Sequence, residues 1–138
     1  MYQVVYKIRL PDIFSILILN LYFLRRKTMI IFLSHKMSGL TDEVVYEIRD
    51  NAKAYIESKV KDLLKENEEV TYIENYVYED APEGAHNLWY LGRSIQKMAE
   101  ADYIYFCDDY TLSRGCTIEH KIVELYELKV LNDIIGCC

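Results

Sequence analysis

Glycine-rich phosphate-binding signatures are missing from this chain of 138 residues. It contains neither a P-loop nor a G-x-G-x-x-G segment, and it has only 5 glycines. Those motifs let the backbone approach a phosphate closely at the start of a helix. Their absence leaves dinucleotide redox chemistry with little support.

Cysteine and histidine are sparse, and neither has the spacing of a metal site or a disulfide framework. The 4 cysteines are Cys107, Cys116, Cys137 and Cys138, of which the last two are adjacent. We interpret them as reduced, which favours a cytoplasmic location. His35 and His120 have no third ligand at metal-site spacing, so we expect neither a metal nor another cofactor.

The chain also lacks an excess of positive charge. Its net charge is −6 at pH 7, whereas a protein that coats nucleic acid normally carries a basic face. Nucleic acid is therefore not an expected partner. A small anionic nucleotide remains compatible with this charge, because a local nest of backbone N–H groups can bind it.

No apolar run is long enough to span a membrane. The longest, IFSILILNLYFL at residues 13–24, precedes Arg25, Arg26 and Lys27, and a span needs about 20 apolar residues. A secretory signal would carry its charges first and a small-residue cleavage site afterwards. Residues 1–28 are left as a weak anchor, an added strand or helix, or an extension upstream of a natural start at Met29. We favour the extension, with one domain at 29–138 and no stable membrane insertion.

Within residues 29–138, apolar strand-length segments alternate with helical patterns. Strands are predicted at 29–33, 70–78, 103–107 and 129–131. Helices are predicted at 42–64, with Thr41 as the cap, and at 88–99, with Asn87 as the cap. A third helix is predicted to follow residue 117. This alternation favours a parallel sheet with helices on both faces. The predicted fold is α/β, a Rossmann-like (flavodoxin-like) three-layer sandwich with a short parallel sheet of about four to five strands.

In such sheets ligands lie beyond the carboxyl ends of the strands. The corresponding segments here are 34–39, 75–78 and 108–110, together with the loop that leads to Glu119. The stretch SRGCTIEH at 113–120 indicates a polar turn that feeds the first turn of a helix. The positive end of the helix dipole would keep Glu119 ionised and hold a phosphate or a sugar beside Ser113, Arg114 and Gly115.

Three segments resemble the nucleoside 2-deoxyribosyltransferase-like superfamily, specifically a small phage and bacterial branch of undefined function. They are IIFLSHKMSGL at 30–40, YLGRSIQKMAEADYIYF at 90–106 and SRGCTIEH, and the resemblance covers roughly the last four-fifths of the chain. It implies that Glu119 is a nucleophile toward the anomeric carbon of a deoxyribose. It also implies a homodimer or higher homo-oligomer.

The resemblance further implies that Ser113 holds a 5′-phosphate, since the family's transferases carry an aspartate there and its nucleotide-hydrolysing members a serine. The family's acid, an aspartate, is replaced here by Ser94. A serine cannot act as a carboxylic acid at neutral pH. Proton delivery would then fall to Asp108, Asp109, His35 or His120, of which we favour Asp108, or be absent.

Two functions stay open at this stage. The first is an N-glycosidase or deoxyribosyltransferase acting on a nucleoside or nucleoside 5′-monophosphate. The second is an inactive protein of the same fold that sequesters or senses a nucleotide derivative, which the replacement at Ser94 favours. A third and weaker hypothesis is a protein-interaction module, because the chain has 13 tyrosines and tyrosine is enriched at protein–protein interfaces. For either of the first two, the expected substrate-binding residues are Ser34, His35, Ser38, Gly39, Ser94, Ser113, Arg114 and Gly115.

Overall fold

A computed structural model describes residues 17, 28–65, 68–74, 80–108 and 110–137. Its elements, in chain order, are β1 (Thr28–Ser34), α1 (Asp42–Val60), β2 (Glu69–Ile73), α2 (Asn87–Met98), β3 (Tyr103–Phe106), α3 (Arg114–Leu125) and α4 (Asn132–Ile135). A single 3-10 turn, Tyr110–Leu112, precedes α3. Strands and helices alternate from β1 to α3 as the sequence predicts, and the chain is a mixed α/β protein.

The sheet is parallel, and β1 is its central strand. The strand order is β2-β1-β3, with Ile31 opposite Tyr72 on one side and Tyr103 on the other. Because β1 has a neighbour on both sides and helices on both faces, its residues are apolar almost without interruption. Ile31, Phe32 and Leu33 are fully buried.

The alternating side chains of β1 separate two apolar clusters, one on each face of the sheet. On one face, Ile31 and Leu33 pack against α1 through Ala52, Ile56 and Val60. On the other face, Phe32 packs with Met98 of α2 and Val123 of α3. Helices therefore cover both faces, as the sequence predicts.

The sheet is smaller than predicted, with three strands among the described residues rather than four to five. The segment predicted as a fourth strand makes only one parallel bridge, between Ile104 and Val130. Two backbone hydrogen bonds form it, from Ile104 N to Lys129 O at 2.9 Å and from Leu131 N to Ile104 O at 2.8 Å. The pairing stops there because the chain turns into α4 at Asn132.

Several predicted boundaries and caps also differ. β2 ends at Ile73, and residues 75–78 of its predicted span lie outside the described residues. Thr41 precedes α1 but makes no side-chain capping bond. Asn87 is the first residue of α2 rather than its cap, because the His86 ring accepts the Leu88 N–H at 3.1 Å.

Apart from residues 17 and 28, the segment 1–28 lies outside the described residues, so its predicted role stays a prediction. Among the helices that the structure describes, none has the length and apolar character needed to cross a bilayer.

Candidate active site

Glu119 lies on α3 with its carboxylate enclosed by two serine hydroxyls. Ser34 Oγ, at the end of β1, donates to Oε2 at 2.6 Å, and Ser94 Oγ on α2 donates to Oε1 at 2.6 Å. All three side chains are buried, with exposures of 1% for Ser34, 4% for Ser94 and 6% for Glu119. Three elements distant in sequence thus meet at one carboxylate.

The electrostatic setting of Glu119 differs from the prediction of a first-turn carboxylate kept ionised by the helix dipole. α3 begins at Arg114 and has no acidic residue in its first turn, so Glu119 belongs to the second turn. The dipole effect is concentrated in the first turn of a helix. Burial raises the pKa of Glu119 above its ordinary value, against the opposing hydrogen bonds from Ser34 and Ser94.

Glu119 faces an open cleft of about 720 Å³. The cleft lies beyond the carboxyl end of β1, between the amino-terminal ends of α2 and α3, where the fold class predicts a ligand. Among the described residues that line it, Glu119 is the only carboxylate, while Lys36 and Arg114 carry positive charge. An anionic ligand therefore meets cations at the mouth and one buried carboxylate inside.

Most of the predicted site residues meet in this cleft. Its walls include His35, Ser38, Ser94, Ser113, Arg114, Gly115 and Glu119. Ser34 does not line the cleft, but its hydroxyl donates a hydrogen bond to the carboxylate of Glu119. Gly39 lies in the turn that follows β1, where its φ of 80° suits a glycine. It does not line the cleft.

Ser113 is the cap of α3, as the polar turn in the sequence suggests. Its Oγ accepts the Cys116 N–H at 3.4 Å, and its backbone carbonyl accepts the Thr117 hydroxyl at 2.9 Å. The capping bond uses only an oxygen lone pair, and the same hydroxyl also contacts the Cys116 thiol and lowers its pKa. A serine at this position therefore caps the helix and presents a polar hydroxyl on the cleft wall.

Of the predicted proton donors that the structure describes, none brings an available acidic proton to the cleft. Asp108 follows β3 but is absent from the cleft wall, and Asp109 lies outside the described residues. His120 stacks on Tyr110, with ring centroids 5.2 Å apart, and its Nδ1 lies 3.6 Å from Glu124. The assignment of Asp108 as a catalytic residue thus gains no support from its position.

His35 lines the cleft, but both of its ring nitrogens already have protein partners. Nε2 lies 3.2 Å from Arg49 Nη1, and Nδ1 lies 3.1 Å from the Lys36 carbonyl. Burial lowers the pKa of His35 and the nearby charge of Arg49 lowers it further, while the hydrogen bond to the Lys36 carbonyl raises it. His35 is accordingly a neutral wall residue and not a proton donor.

Cys116 also lines the cleft beside Glu119, and it is a buried thiol. Burial is the largest influence and raises its pKa, whereas hydrogen bonds involving Ser113 and Ser34 act in the opposite direction. The start of α3 therefore does not turn Cys116 into a reactive thiolate.

Two residues of this region were not identified from the sequence. Arg49 was missed because a charged residue in an amphipathic helix is normally assigned to the solvent-facing side. In the structure it is only 1% exposed. His86 lines the cleft and caps α2, where Asn87 was the stronger cap by residue type. The sequence did carry a signal for Arg49, because it lies at helical spacing from the buried residues Val45, Ala52 and Ile56.

No group of three or more histidine, cysteine, aspartate or glutamate side chains that could hold a metal occurs in the described part of the chain. Comparisons with protein-family models, with curated proteins and with solved structures found no match to this chain.

Proposed function

We propose that the protein cleaves or exchanges the N-glycosidic bond of a 2-deoxynucleoside 5′-monophosphate, with Glu119 as the nucleophile. The observation that carries the proposal is the Glu119 carboxylate, which two serine hydroxyls hold at 2.6 Å on the wall of a cleft. Fixing both oxygens orients a nucleophile without filling all of its lone pairs. The sequence resemblance assigns the same residue.

The reaction proceeds in two displacements at the anomeric carbon. One Glu119 oxygen forms a bond to C1′, and the C1′–N bond breaks with its electron pair on the base nitrogen, which takes up a proton. Water or a second base then attacks C1′ and loses a proton to solvent, while the C1′–O bond to Glu119 breaks and restores the carboxylate. Two inversions give net retention of configuration.

A phosphate on the substrate fits the charge at the cleft mouth. Arg114 offers a planar fork of N–H donors, Lys36 a mobile ammonium group, and Ser113 its hydroxyl. These groups surround the first turn of α3, which favours an anion. We therefore place the 5′-phosphate beside Ser113, Arg114 and Gly115.

The leaving base must be protonated without a neighbouring carboxylic acid. Ser94 occupies the position at which the family that this sequence resembles has an aspartate, and its hydroxyl donates its hydrogen bond to Glu119. In the neutral ring of His86, the proton lies on Nε2, because Nδ1 accepts the Leu88 N–H. We assign His86 as the protein group that donates a hydrogen bond to the departing base.

The second candidate is a protein of the same fold that binds a nucleotide derivative without turnover. The hydrogen bond from Ser94 to Glu119 favours it, because no carboxylic acid other than Glu119 lines the described cleft. The finer fold assignment, a flavodoxin-like three-layer sandwich, belongs to the same proposal, as do a homo-oligomer and a cytoplasmic location. The order β2-β1-β3 with helices on both faces supports that fold assignment.

The test is chromatographic detection of free base after incubation with nucleosides and with 2-deoxynucleoside 5′-monophosphates. The parent and Glu119→Gln are compared, with Glu124→Gln on the same helix as the control, since Glu124 is exposed and pairs with Lys121. Release by the parent and the control, but not by Glu119→Gln, supports the enzyme. Binding by calorimetry without release from any substrate supports the second candidate.

A further inference from the structure

Arg49 is a buried cation behind the cleft, and the proposed reaction does not use it. Its side chain is 2% exposed, and its Nη2 donates to Glu74 Oε2 at 3.0 Å and to the Ile73 carbonyl at 3.3 Å. Lys53 contacts the other oxygen of Glu74 at 3.1 Å. A desolvated guanidinium is costly unless it is paired, and one of the bonds that pair Arg49 reaches His35 on the cleft wall.

That bond, to His35, fixes the state of the imidazole. A guanidinium has only donors, so Nε2 of His35, at 3.2 Å from Arg49 Nη1, must be the bare acceptor. The Lys36 carbonyl, at 3.1 Å from Nδ1, has only lone pairs, so Nδ1 must carry the proton. The two contacts together define a neutral ring with its proton on Nδ1.

Both polar atoms of the ring therefore point to protein partners. His35 is 5% exposed and lines the cleft, so a ligand meets its carbon atoms and not its nitrogens. The pKa of His35, which burial and the charge of Arg49 lower against the effect of the Lys36 carbonyl, agrees with a ring that does not ionise. Among the described residues, the charge of Arg49 on α1 acts on the ring directly, and the carboxylate of Glu74 acts through its pairing with Arg49.

We propose that His35 is a specificity-determining apolar wall for the nucleoside part of the ligand and that Arg49 is the positioning residue that holds it. The inference rests on the proposed function for the identity of the ligand. With the 5′-phosphate placed beside Ser113, Arg114 and Gly115, the carbon-rich face of the sugar and base is the part that lies against the ring. A bound phosphate alone makes no use of this wall.

Substitution in pairs separates the ring from its nitrogens. His35→Phe keeps a ring but removes one acceptor of the buried Arg49, and Arg49→Met removes the donor that holds the ring. The double variant His35→Phe with Arg49→Met removes both sides of this one contact together, so that neither side chain is left buried against the altered partner. Calorimetry in a Glu119→Gln background, where turnover is blocked, measures the Kd of the four common 2-deoxynucleoside 5′-monophosphates and of inorganic phosphate.

For the nucleotide that binds best, we expect the Kd of the double variant to stay within about threefold of the parent Kd. We expect Arg49→Met and His35→Ala each to raise that Kd about tenfold. The Kd of inorganic phosphate should not change. A tenfold loss in a double variant whose Tm equals that of the parent would overturn the proposal, because it would show that the ring nitrogens contact the ligand. Lack of nucleotide binding by the parent would overturn the proposed function and the assigned ligand together.

Nitrogen-15 NMR of the His35 ring decides the positioning role independently of any ligand. The parent should show a protonated Nδ1 and a bare Nε2 at neutral pH, and Arg49→Met should shift the titration of the ring to higher pH, because it removes a charge that lowers the pKa of His35. A parent ring that carries its proton on Nε2, or that titrates like a free imidazole near a pKa of about 6.5, would refute the role of Arg49.

Discussion

Ser94 Oγ donates to Glu119 Oε1 over 2.6 Å, from the position where the resembled family carries an aspartate. In this chain position 94 therefore supplies a hydrogen-bond donor to Glu119 and not a second carboxylic acid. If a carboxylate is restored there by Ser94→Asp, two carboxyl groups lie close enough to share a proton, which raises the pKa of one of them. We expect a bell-shaped dependence of kcat/KM on pH in Ser94→Asp, compared with a single acidic limb in the parent. An unchanged profile would contradict direct contact between positions 94 and 119.

Ser34 stabilises the ionised form of Glu119 from the end of β1. Its removal in Ser34→Ala takes away a hydrogen bond that lowers the pKa of Glu119, so that pKa should rise further. A hydrogen bond to a charged group contributes about 1.5–3 kcal/mol, so we expect a loss of roughly 10- to 100-fold in kcat/KM at neutral pH. The acidic limb of the pH profile should move to higher pH.

The matched control for that substitution is Ser58→Ala. Ser58 is exposed on α1 and donates to the Tyr55 carbonyl, away from the cleft. Its removal should leave both the rate and the pH profile unchanged. A normal pH profile in Ser34→Ala would show that the serine has no effect on Glu119.

Ionised Glu119 destabilises the folded chain. Its folded pKa lies above the ordinary value of 4.5, so the folded state binds more protons than the unfolded state between those two pH values. Stability from this group is complete below pH 4.5 and is lost as pH rises through the folded pKa. Glu119→Gln should therefore gain about 1 kcal/mol in the free energy of unfolding at pH 7.5, and the gain should vanish at pH 4.

Denaturant unfolding at the two pH values measures this effect. Glu124→Gln is a control of opposite sign, because the hydrogen bond and the charge of Lys121 lower the pKa of Glu124. Destabilisation by Glu119→Gln at pH 7.5 would show that the carboxylate is held more favourably than its burial indicates.

The phosphate contact is tested by Arg114→Ala. We expect about a tenfold higher KM for a 2-deoxynucleoside 5′-monophosphate, a change of about 1.4 kcal/mol, with little effect on the corresponding nucleoside. Lys121→Ala is the matched control, since Lys121 is a cation on the same helix that pairs with Glu124 outside the cleft. Equal losses for nucleotide and nucleoside in Arg114→Ala would place the phosphate elsewhere.

The domain boundary predicted at Met29 has a direct test. A chain beginning at Met29 keeps the pairings of β1 from Met29 opposite Val70 to Phe32 opposite Ile73, and loses the pairing of Thr28 with Glu69. We expect a cooperative thermal transition within about 4 °C of that of the full chain, the shift that corresponds to about 1 kcal/mol. Loss of the transition would assign residues 1–28 to the folded unit.

Much of this fold could be predicted because the apolar patterns are strong. The uninterrupted apolar run of β1 and the helical spacing from Val45 to Val60 identify a parallel strand and the helix that covers it. The fourth strand could not be judged in the same way. Whether the segment around Val130 pairs at one residue or at several depends on where α4 begins, and that is a property of the tertiary packing.

The site was predictable in its residues but less so in its electrostatics. Strand ends and the α3 cap identify Ser34, Ser113 and Glu119. The sequence could not show that Glu119 is desolvated, since that follows from the approach of α2 to α3 through Ser94. The same holds for Arg49, whose burial depends on the end of β2 and on His35.

The most direct test of the central claim is the mass of the protein after incubation with 2-deoxy-2-fluoroarabinosyl nucleoside 5′-monophosphates. The fluorine slows the second displacement more than the first when a good leaving group is present, so a glycosyl-enzyme should accumulate. We expect an added mass equal to one fluorinated sugar phosphate, located by peptide mapping at Glu119 and absent from Glu119→Gln. Base release without any adduct, or an adduct on another residue, would contradict Glu119 as the nucleophile.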